Sequence, residues 1–338
     1  MPLNIGLIGA GRMGSTLAHH LAYSVNAANL IAVADPYEET ARKTAAKCNV
    51  ADVYTEYHAL LARDDIDAVV IVTPTNTHVN VIKAAARAGK HIFTEKPLAL
   101  TLAKCDEAIA AVEAAGVKMM VGFMRRFDAA YLAAKQKIDA GEIGSPVMIK
   151  CVGRDPWHTG LEYARRENSG GLIADMAIHD FDLARWLMGS EVVRTSSEGE
   201  CLVFPELKEV GDIDNAVVNL KFANGAIGNV DVSRNAIYGY DIRTEVIGSE
   251  GSVFIGGLQQ TMTWTLKKNQ ISHDTIPGFM ARFADAYASE IRAFVDCIVE
   301  DRPAPITGAD ARAATAIAIA ATRSLDEARP FTLAEIGG

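Results

Sequence analysis

Three glycines near the start of the chain have the spacing of a loop that binds phosphate groups. The segment Gly9-Ala10-Gly11-Arg12-Met13-Gly14 follows a short apolar run and opens a helical pattern. In a G-x-G-x-x-G loop, one glycine forms the tight turn, one lets the backbone approach a pyrophosphate, and one lets the helix pack against the strand. The start of the helix adds free N–H groups and the positive end of its dipole. Gly9, Gly11, Arg12, Met13 and Gly14 are therefore predicted to bind a dinucleotide.

A carboxylate follows where such a loop requires one. Asp35 ends the second apolar run, about 20 residues beyond the glycines, where an acid accepts hydrogen bonds from the adenosine ribose. The same charge repels the 2′-phosphate of NADP, and the next arginine is Arg42. The sequence therefore favours NAD as the cofactor. The alternative is a glycine turn that only packs, with Asp35 capping the end of a strand.

Asp175 and His179 are four residues apart in a helical segment, so they share one face of the helix. Oxidation of a secondary alcohol releases a hydride and a proton, and histidine titrates near the working pH of a base. A neighbouring carboxylate orients the imidazole, and the charge of Lys96 would stabilise a developing alkoxide. One alternative is a plain surface pair on a helix. Another is a metal site of His179, Asp180 and Asp182, but no histidine or cysteine set supports it, and no metal is expected.

Apolar runs alternate with helical patterns through the first 123 residues. The predicted strands cover residues 3–8, 30–34, 68–72, 91–94 and 117–123, and the helices cover 12–25, 38–48, 78–88 and 102–115. This alternation predicts a parallel sheet covered on both faces, with ligands at the carboxyl ends of its strands. The loops after the third and fourth runs should reach the same edge. Thr73, Asn76, His78, Glu95 and Lys96 are therefore predicted to contact the cofactor.

The second half of the sequence predicts a different kind of sheet. Strands are expected at 147–152, 215–222, 226–234, 242–247, 252–255 and 261–266, and helices at 173–188, 279–299 and 309–328. Asn224-Gly225 and Glu250-Gly251 indicate hairpins, and hairpins build antiparallel sheets. The predicted fold is α/β, with an N-terminal Rossmann parallel sheet (1–123) and a C-terminal α+β domain with an open, mainly antiparallel sheet (124–338). An alternative left open by the sequence is that the last helices pack back on the first domain.

Composition excludes several classes of protein. The 338 residues carry a formal net charge of −9, which argues against a general binder of nucleic-acid phosphates. The five cysteines are widely spaced and contain no C-x-x-C pair, so neither a disulfide framework nor a zinc ribbon is expected. The longest apolar runs, such as 68–72, are far shorter than the roughly 20 residues of a membrane span. We expect a cytoplasmic protein that binds neither nucleic acid nor membranes.

Together with the glycine loop, Glu95-Lys96-Pro97 after the fourth strand resembles the Gfo/Idh/MocA family of sugar and polyol oxidoreductases. The two glycines at 170 and 171, then Asp175, three residues and His179, are similar to the catalytic helix of that family. The resemblance covers essentially the whole chain. It implies a catalytic trio of Lys96, Asp175 and His179, with His179 as proton acceptor, and a cis peptide bond before Pro97. Segments 122–128, 238–241 and 282–287 are most similar to inositol 2-dehydrogenases within the family.

The resemblance also implies the substrate and its contacts. The residues expected to bind a cyclic polyol are Lys96, Arg126, Trp157, His158, Asp175, His179 and Tyr238. The expected reaction is the NAD-dependent oxidation of myo-inositol to 2-keto-myo-inositol (scyllo-inosose). The alternatives are a related dehydrogenase for scyllo-inositol, an aldose or an L-sugar, and an NAD-binding sensor without turnover. A homo-oligomer, a tetramer or a dimer, is expected through the open face of the second sheet.

Overall fold

The computed structural model describes residues 2–337, which form two compact units. The first unit contains the chain up to Phe127 together with Asp285–Arg312. The second contains Asp128–Ala284 together with the chain from Ala313 onwards. Parts of both long C-terminal helices thus belong to the first unit. The division into functional domains at residue 123 stays a prediction.

The first unit is built on a six-stranded parallel sheet in the order β3-β2-β1-β4-β5-β6. The strands are β1 (Leu3–Ile8), β2 (Ala28–Ala34), β3 (Asp52–Tyr54), β4 (Ala68–Ile71), β5 (His91–Glu95) and β6 (Met119–Gly122). The helices are α1 (Arg12–Tyr23), α2 (Glu38–Lys47), α3 (Tyr57–Leu61), α4 (His78–Arg87) and α5 (Leu102–Ala115). The predicted Rossmann sheet is confirmed.

The strand order reverses at β1, whose neighbours are β2 on one side and β4 on the other. From β1 the chain continues to β2 on one side, and from β4 it continues to β5 on the other side. A crevice therefore opens at the carboxyl ends of β1 and β4, where such sheets bind ligands. All four residues of β4 are buried, as expected for a central strand covered on both faces. The short elements β3 and α3 were not among the predicted ones, because a three-residue strand carries too little pattern to detect.

The second unit contains a seven-stranded mixed sheet in the order β12-β11-β7-β10-β9-β8-β15. Its strands are β7 (Pro146–Arg154), β8 (Val192–Glu200), β9 (Asn215–Phe222), β10 (Ile227–Ser233), β11 (Asp241–Gly248), β12 (Ser252–Gly256) and β15 (Phe331–Thr332). A separate hairpin pairs β13 (Thr265–Lys267) with β14 (Gln270–Ser272). Its helices are α6 (Ala129–Asp139), α7 (Leu161–Ala164), α8 (Arg166–Ser169) and α9 (Ile178–Met188), and the residues of α10 (Phe279–Val299) and α11 (Gly308–Asp326) are divided between the two units.

The mainly antiparallel character of this sheet is confirmed, and only β7 and β10 pair in parallel. Both predicted hairpins are present, β9–β10 and β11–β12. The predicted strand at 261–266 is wrong, because only its last two residues join β13. Strand β8 and helix α6 were not predicted. Strand β8 lies between β9 and the two-residue strand β15, and it is rich in small and charged residues, a composition that also fits a surface loop.

Helix α9 covers one face of this sheet closely. A Cβ atom at Gly153 on β7 would lie 2.8 Å from Oδ2 of Asp180, so the buried carboxylate on this helix occupies the space that a side chain at Gly153 would need. Asp180, Phe181 and Asp182 are all buried on this helix. No helix among residues 2–337 is long and apolar enough to cross a membrane. All five cysteines lie within the described residues and are buried, and none of them forms a disulfide bond.

Candidate active site

The glycine loop joins β1 to α1 and is shaped by close approaches of backbone to backbone. Gly9 has φ +96°, and a Cβ atom there would lie 2.5 Å from the carbonyl oxygen of Val72. A Cβ atom at Gly14 would overlap the carbonyl oxygen of Gly9. At Gly11 the same test finds no protein atom within 4 Å. The first and third glycines are therefore required for packing, whereas the second leaves open space beside the start of α1.

Asp35 closes one side of this loop. Its Oδ2 accepts a hydrogen bond from the N–H of Ala10 at 2.7 Å, and its Oδ1 accepts one from the N–H of Tyr37 at 2.9 Å. The hydroxyl of Thr44 donates to the carbonyl of Ala10 at 3.1 Å, which fixes the loop from α2. Each carboxylate oxygen has a second acceptor position left for a ribose hydroxyl.

The loops after β4 and β5 are joined by a buried histidine. His78 is 1% exposed, and its ring nitrogens lie 2.9 Å from the carbonyl oxygens of Thr73 and Pro97. Burial lowers the pKa of this imidazole, while the two carbonyls act to raise it. Asn76 is exposed in the same loop. Because its two nitrogens face backbone carbonyls, His78 is placed to hold the loops together, and its predicted contact with the cofactor stays a prediction.

Glu95 ends β5 and Lys96 follows it, and the peptide bond between Lys96 and Pro97 is cis, as the resemblance implied. Oε2 of Glu95 accepts a hydrogen bond from the backbone N–H of Lys96 at 3.2 Å. Burial raises the pKa of the Glu95 carboxyl to about 7, and the charge of Lys96 opposes that rise. The edge of the first sheet therefore carries an acid that titrates near neutral pH directly before the predicted catalytic lysine.

Arg126, predicted to bind substrate, also belongs to the first unit. Its side chain is largely buried, and Nη2 lies 3.3 Å from Oδ1 of Asp310 near the start of α11. The hydroxyl and the N–H of Thr307 donate to Oδ2 of the same aspartate. This ion pair fixes the arginine from a segment almost two hundred residues away.

In the second unit, a pair of glycines leads into the predicted catalytic helix. Gly170 and Gly171 both have positive φ, and a Cβ atom at Gly171 would lie 2.8 Å from Oδ1 of Asp212. That same oxygen accepts a hydrogen bond from the N–H of Leu172 at 2.8 Å. Ile173–Ala177 then forms one turn of π-helix before α9 begins. Such turns occur often at functional sites, and this one contains Asp175.

Asp175 is held through both of its oxygens. The hydroxyl of Tyr163 donates to Oδ1 at 3.0 Å, and Nη2 of Arg234 donates to Oδ2 at 3.3 Å. Arg234 also lies 3.6 Å from Oδ2 of Asp212. His179 follows on the first turn of α9 and is partly exposed. The second unit therefore contains the predicted acid and base on one helical segment, whereas Lys96 lies in the first unit.

The remaining predicted substrate residues lie in loops of the second unit. Trp157 is half exposed and packs over Gly278, where an added Cβ atom would lie 2.9 Å from its ring. Tyr238 donates its hydroxyl to Oδ2 of Asp241 at 2.9 Å and accepts from Arg154 at 3.2 Å. Burial raises the pKa of this phenol.

His158 is packed against a loop that a buried carboxylate organises. Its ring lies 4.7 Å from the ring of Phe204, and Nε2 is 3.3 Å from Oε1 of Glu206. Asp214 accepts hydrogen bonds from the N–H groups of Leu202, Val203 and Phe204 at 2.8, 2.6 and 2.7 Å. Burial acts to raise the pKa of Asp214, but these N–H groups lower it overall. An ionised carboxylate thus fixes the loop on which the histidine rests.

Comparison with known proteins decides the family. Residues 3–123 match the family described as "Oxidoreductase family, NAD-binding Rossmann fold", and residues 135–333 match "Oxidoreductase family, C-terminal alpha/beta domain". The chain belongs to the Gfo/Idh/MocA oxidoreductase family. This confirms the resemblance inferred from the sequence motifs, and it identifies the protein as an NAD-dependent oxidoreductase.

Several relatives of this Gfo/Idh/MocA protein are similar along their full length. The chain is 41% identical to scyllo-inositol 2-dehydrogenase (NAD(+)) of Bacillus subtilis, over 97% of this chain and 95% of the relative. It is 38% identical to myo-inositol 2-dehydrogenase of Thermotoga maritima, over 99% and 100%. Scyllo-inositol dehydrogenase from Lactobacillus casei, solved with NAD(H) and scyllo-inositol, superposes with a TM-score of 0.94 at 30% identity, covering 99% and 100%.

The residues of the first unit fit an NAD molecule. The open space at Gly11 leaves room for a pyrophosphate beside the N–H groups at the start of α1. The acceptor positions of Asp35 suit the two ribose hydroxyls, and its charge disfavours a 2′-phosphate. Among residues 2–337 no group of three histidine, cysteine or acidic side chains has the arrangement of a metal site.

Three residues near Asp175 were not predicted from the sequence: Tyr163, Asp212 and Arg234. Arg234 is 59 residues from Asp175 in the chain, and no spacing rule connects them. Its only sequence signal is a charged residue at the end of the predicted strand 226–234, and that signal usually marks a solvent-exposed strand end. Here the arginine is 1% exposed. Only the folded structure shows that it pairs with the predicted catalytic acid.

Proposed function

We propose that this oxidoreductase converts myo-inositol to 2-keto-myo-inositol with NAD. The observation that carries the proposal is full-length similarity to inositol 2-dehydrogenases, which extends over the second domain as well as the NAD-binding one. Myo-inositol and scyllo-inositol differ only at the carbon that is oxidised, and both yield the same ketone. The similarity to scyllo-inositol 2-dehydrogenase therefore makes scyllo-inositol the second candidate substrate.

The proposed chemistry divides the reaction between three side chains and the cofactor. When bound, NAD supplies the acceptor for the hydride that leaves the secondary carbon. His179 takes the hydroxyl proton on an imidazole nitrogen. Asp175 orients that ring and stabilises its cation, and the Lys96 ammonium stabilises the negative charge that develops on the oxygen. This assignment requires Lys96 and His179 to reach the same hydroxyl group.

A substrate panel tests the proposal. Purified protein would be mixed with NAD and, separately, with myo-inositol, scyllo-inositol, glucose and an L-sugar, and formation of reduced cofactor would be followed by its absorbance. We expect kcat/KM to be highest for an inositol, with myo-inositol ahead of scyllo-inositol. A higher value for scyllo-inositol would assign the second candidate. Oxidation of an aldose alone, or binding of NAD without oxidation of any polyol, would contradict the proposal.

We also propose that the protein associates through the open face of its second sheet. Phe254, Ile227 and Val217 extend from three strands of this face, and Phe254 is 62% exposed. Burying such side chains stabilises association. Light scattering after size exclusion should give a dimer or tetramer for the native chain and smaller species for Phe254→Asp. A native monomer at micromolar concentration would contradict this proposal.

A further inference from the structure

The carboxylate of Asp175 is fixed by two groups that lie outside its own helix. Tyr163, at the end of the short helix α7, donates to Oδ1, and Arg234, just after β10, donates to Oδ2. An aspartate on a helix can rotate about two bonds, so a donor on each oxygen selects one orientation of the carboxylate. Such selection matters for a group whose task is to orient a neighbouring imidazole.

Arg234 also connects Asp175 to the start of the catalytic segment. The guanidinium lies near Oδ2 of both Asp175 and Asp212, and Oδ1 of Asp212 accepts the N–H of Leu172 directly before the π-helical turn. The main chain of Arg234 is fixed as well, because its N–H donates to the carbonyl of Asp214 at 2.8 Å. Through Asp212, Arg234 thus connects the carboxylate of Asp175 to the backbone at the start of the catalytic segment.

The cluster of Arg234, Asp175 and Asp212 contains one basic and two acidic side chains. One buried guanidinium faces two carboxylates, and burial raises the pKa of Asp212. Removing one partner of a buried ion pair leaves an uncompensated charge, whereas an exposed pair contributes little. Arg234 is therefore the buried cation that both acids share, and its removal would leave two carboxylates without it.

We propose that Arg234 is a positioning residue for the oxidation, holding the Asp175 carboxylate together with Tyr163 in one orientation, one helical turn before His179. This inference rests on the proposed function, because it assumes that Asp175 serves the proton acceptor. It predicts that the effect of Arg234 on turnover depends on the presence of the Asp175 carboxylate, whereas its contact with Asp212 contributes to the stability of the segment. A residue that merely stabilises the fold would affect turnover whether or not the carboxylate is present.

A double-mutant cycle tests this dependence. Asp175→Asn, Arg234→Gln and the double variant would be compared by kcat and by KM for NAD and for the polyol that the native protein oxidises fastest. We expect Asp175→Asn to lower kcat by about 100-fold. Arg234→Gln should lower kcat by about tenfold or more, with KM values changed less than about threefold. The double variant should be no slower than Asp175→Asn within about twofold, because residues that act as a unit are non-additive.

Two milder variants keep the test valid if Arg234→Gln does not fold. Arg234→Lys keeps the charge but loses the planar fork, and Tyr163→Phe alters only a half-exposed side chain. Each should lower kcat by a few-fold alone and have no effect in the Asp175→Asn background. Arg185→Gln is the matched control, because Arg185 lies on the same helix α9 as His179 but its guanidinium pairs with Glu191. It should leave kcat unchanged.

The outcomes separate this inference from the proposed function. Losses that multiply in the double variants would overturn the role of Arg234 while leaving the reaction intact. An Asp175→Asn variant as fast as the native protein would refute the role of Asp175 itself, and the inference with it. A native protein that oxidises no polyol would refute both proposals.

Discussion

The glycine loop of the first unit and the Asp175 cluster of the second use opposite means of positioning. In the loop, Gly9 and Gly14 let backbone segments pack closely, Gly11 leaves open space for a ligand, and recognition depends on backbone N–H groups. In the cluster, the buried guanidinium of Arg234 reaches Asp175 from a distant segment and holds its carboxylate together with the hydroxyl of Tyr163. The residues of the loop are close together in the sequence, whereas Arg234 and Asp175 come together only when the second sheet has folded.

The largest expected effect separates chemistry from cofactor binding. His179→Gln should lower kcat by about 10²–10⁴-fold, because glutamine cannot accept the proton at neutral pH. NAD binding, measured by quenching of protein fluorescence, should be unchanged, since His179 lies outside the first unit. His273→Gln is the control, because His273 is exposed and directly follows β14 of the separate hairpin. A His179→Gln variant that turns over normally would refute the assignment of the base.

The glycines of the loop should separate folding from binding. A Cβ atom at Gly11 meets no protein atom within 4 Å and its φ is −62°, so Gly11→Ala should fold with an unchanged or slightly higher melting temperature. KM for NAD should rise by about tenfold or more, because the methyl group occupies the space for the pyrophosphate.

Gly14→Ala supplies the contrast at the same loop. Its Cβ atom would overlap the carbonyl oxygen of Gly9, so the strand and the helix must separate. We expect a loss of melting temperature that Gly11→Ala does not show, measured on both proteins without cofactor. Equal stability of the two variants would mean that the close approach of backbones does not support the loop.

Asp35 should set the choice between NAD and NADP with a smaller effect. Asp35→Asn removes the charge that repels a 2′-phosphate, while its amide oxygen still accepts one of the hydrogen bonds from Ala10 and Tyr37. The ratio of kcat/KM for NAD over NADP should fall by about tenfold. Glu38→Gln removes the same charge from an exposed pair with Arg42 and should leave the ratio unchanged. An unchanged ratio in Asp35→Asn would show that the carboxylate does not discriminate.

This contrast explains how much of the molecule the sequence could predict. The loop, Asp35 and most strands of the first unit follow from short-range patterns, since the spacing of glycines and apolar runs directly reflects backbone geometry. The pair of Asp175 and His179 was predicted from its spacing, but the π-helical turn that carries the acid was not. Arg234 and Asp212 could not be found, because their contacts join segments that only the folded sheet brings together.

The last expected effect concerns the pH dependence of stability rather than turnover. Burial raises the pKa of Glu95 to about 7, above the value near 4.3 of an unfolded chain. The folded protein therefore keeps a proton that the unfolded chain has lost between these values. Over this interval Glu95 lowers the free energy of unfolding as the pH rises, by at most roughly 1.4 kcal/mol for each pH unit.

Glu95→Gln should remove this decline, because an amide has no proton to lose. The melting temperature of the variant without cofactor should therefore vary less between about pH 5 and 7.5 than that of the native protein. Glu107 is the matched control, since hydrogen bonds from Lys104 and Lys83 hold its pKa at about 2 and keep it ionised over this range. Glu107→Gln should keep the native slope. If Glu95→Gln keeps it as well, Glu95 is ionised at neutral pH, and the edge next to Lys96 carries a permanent negative charge rather than a titrating one.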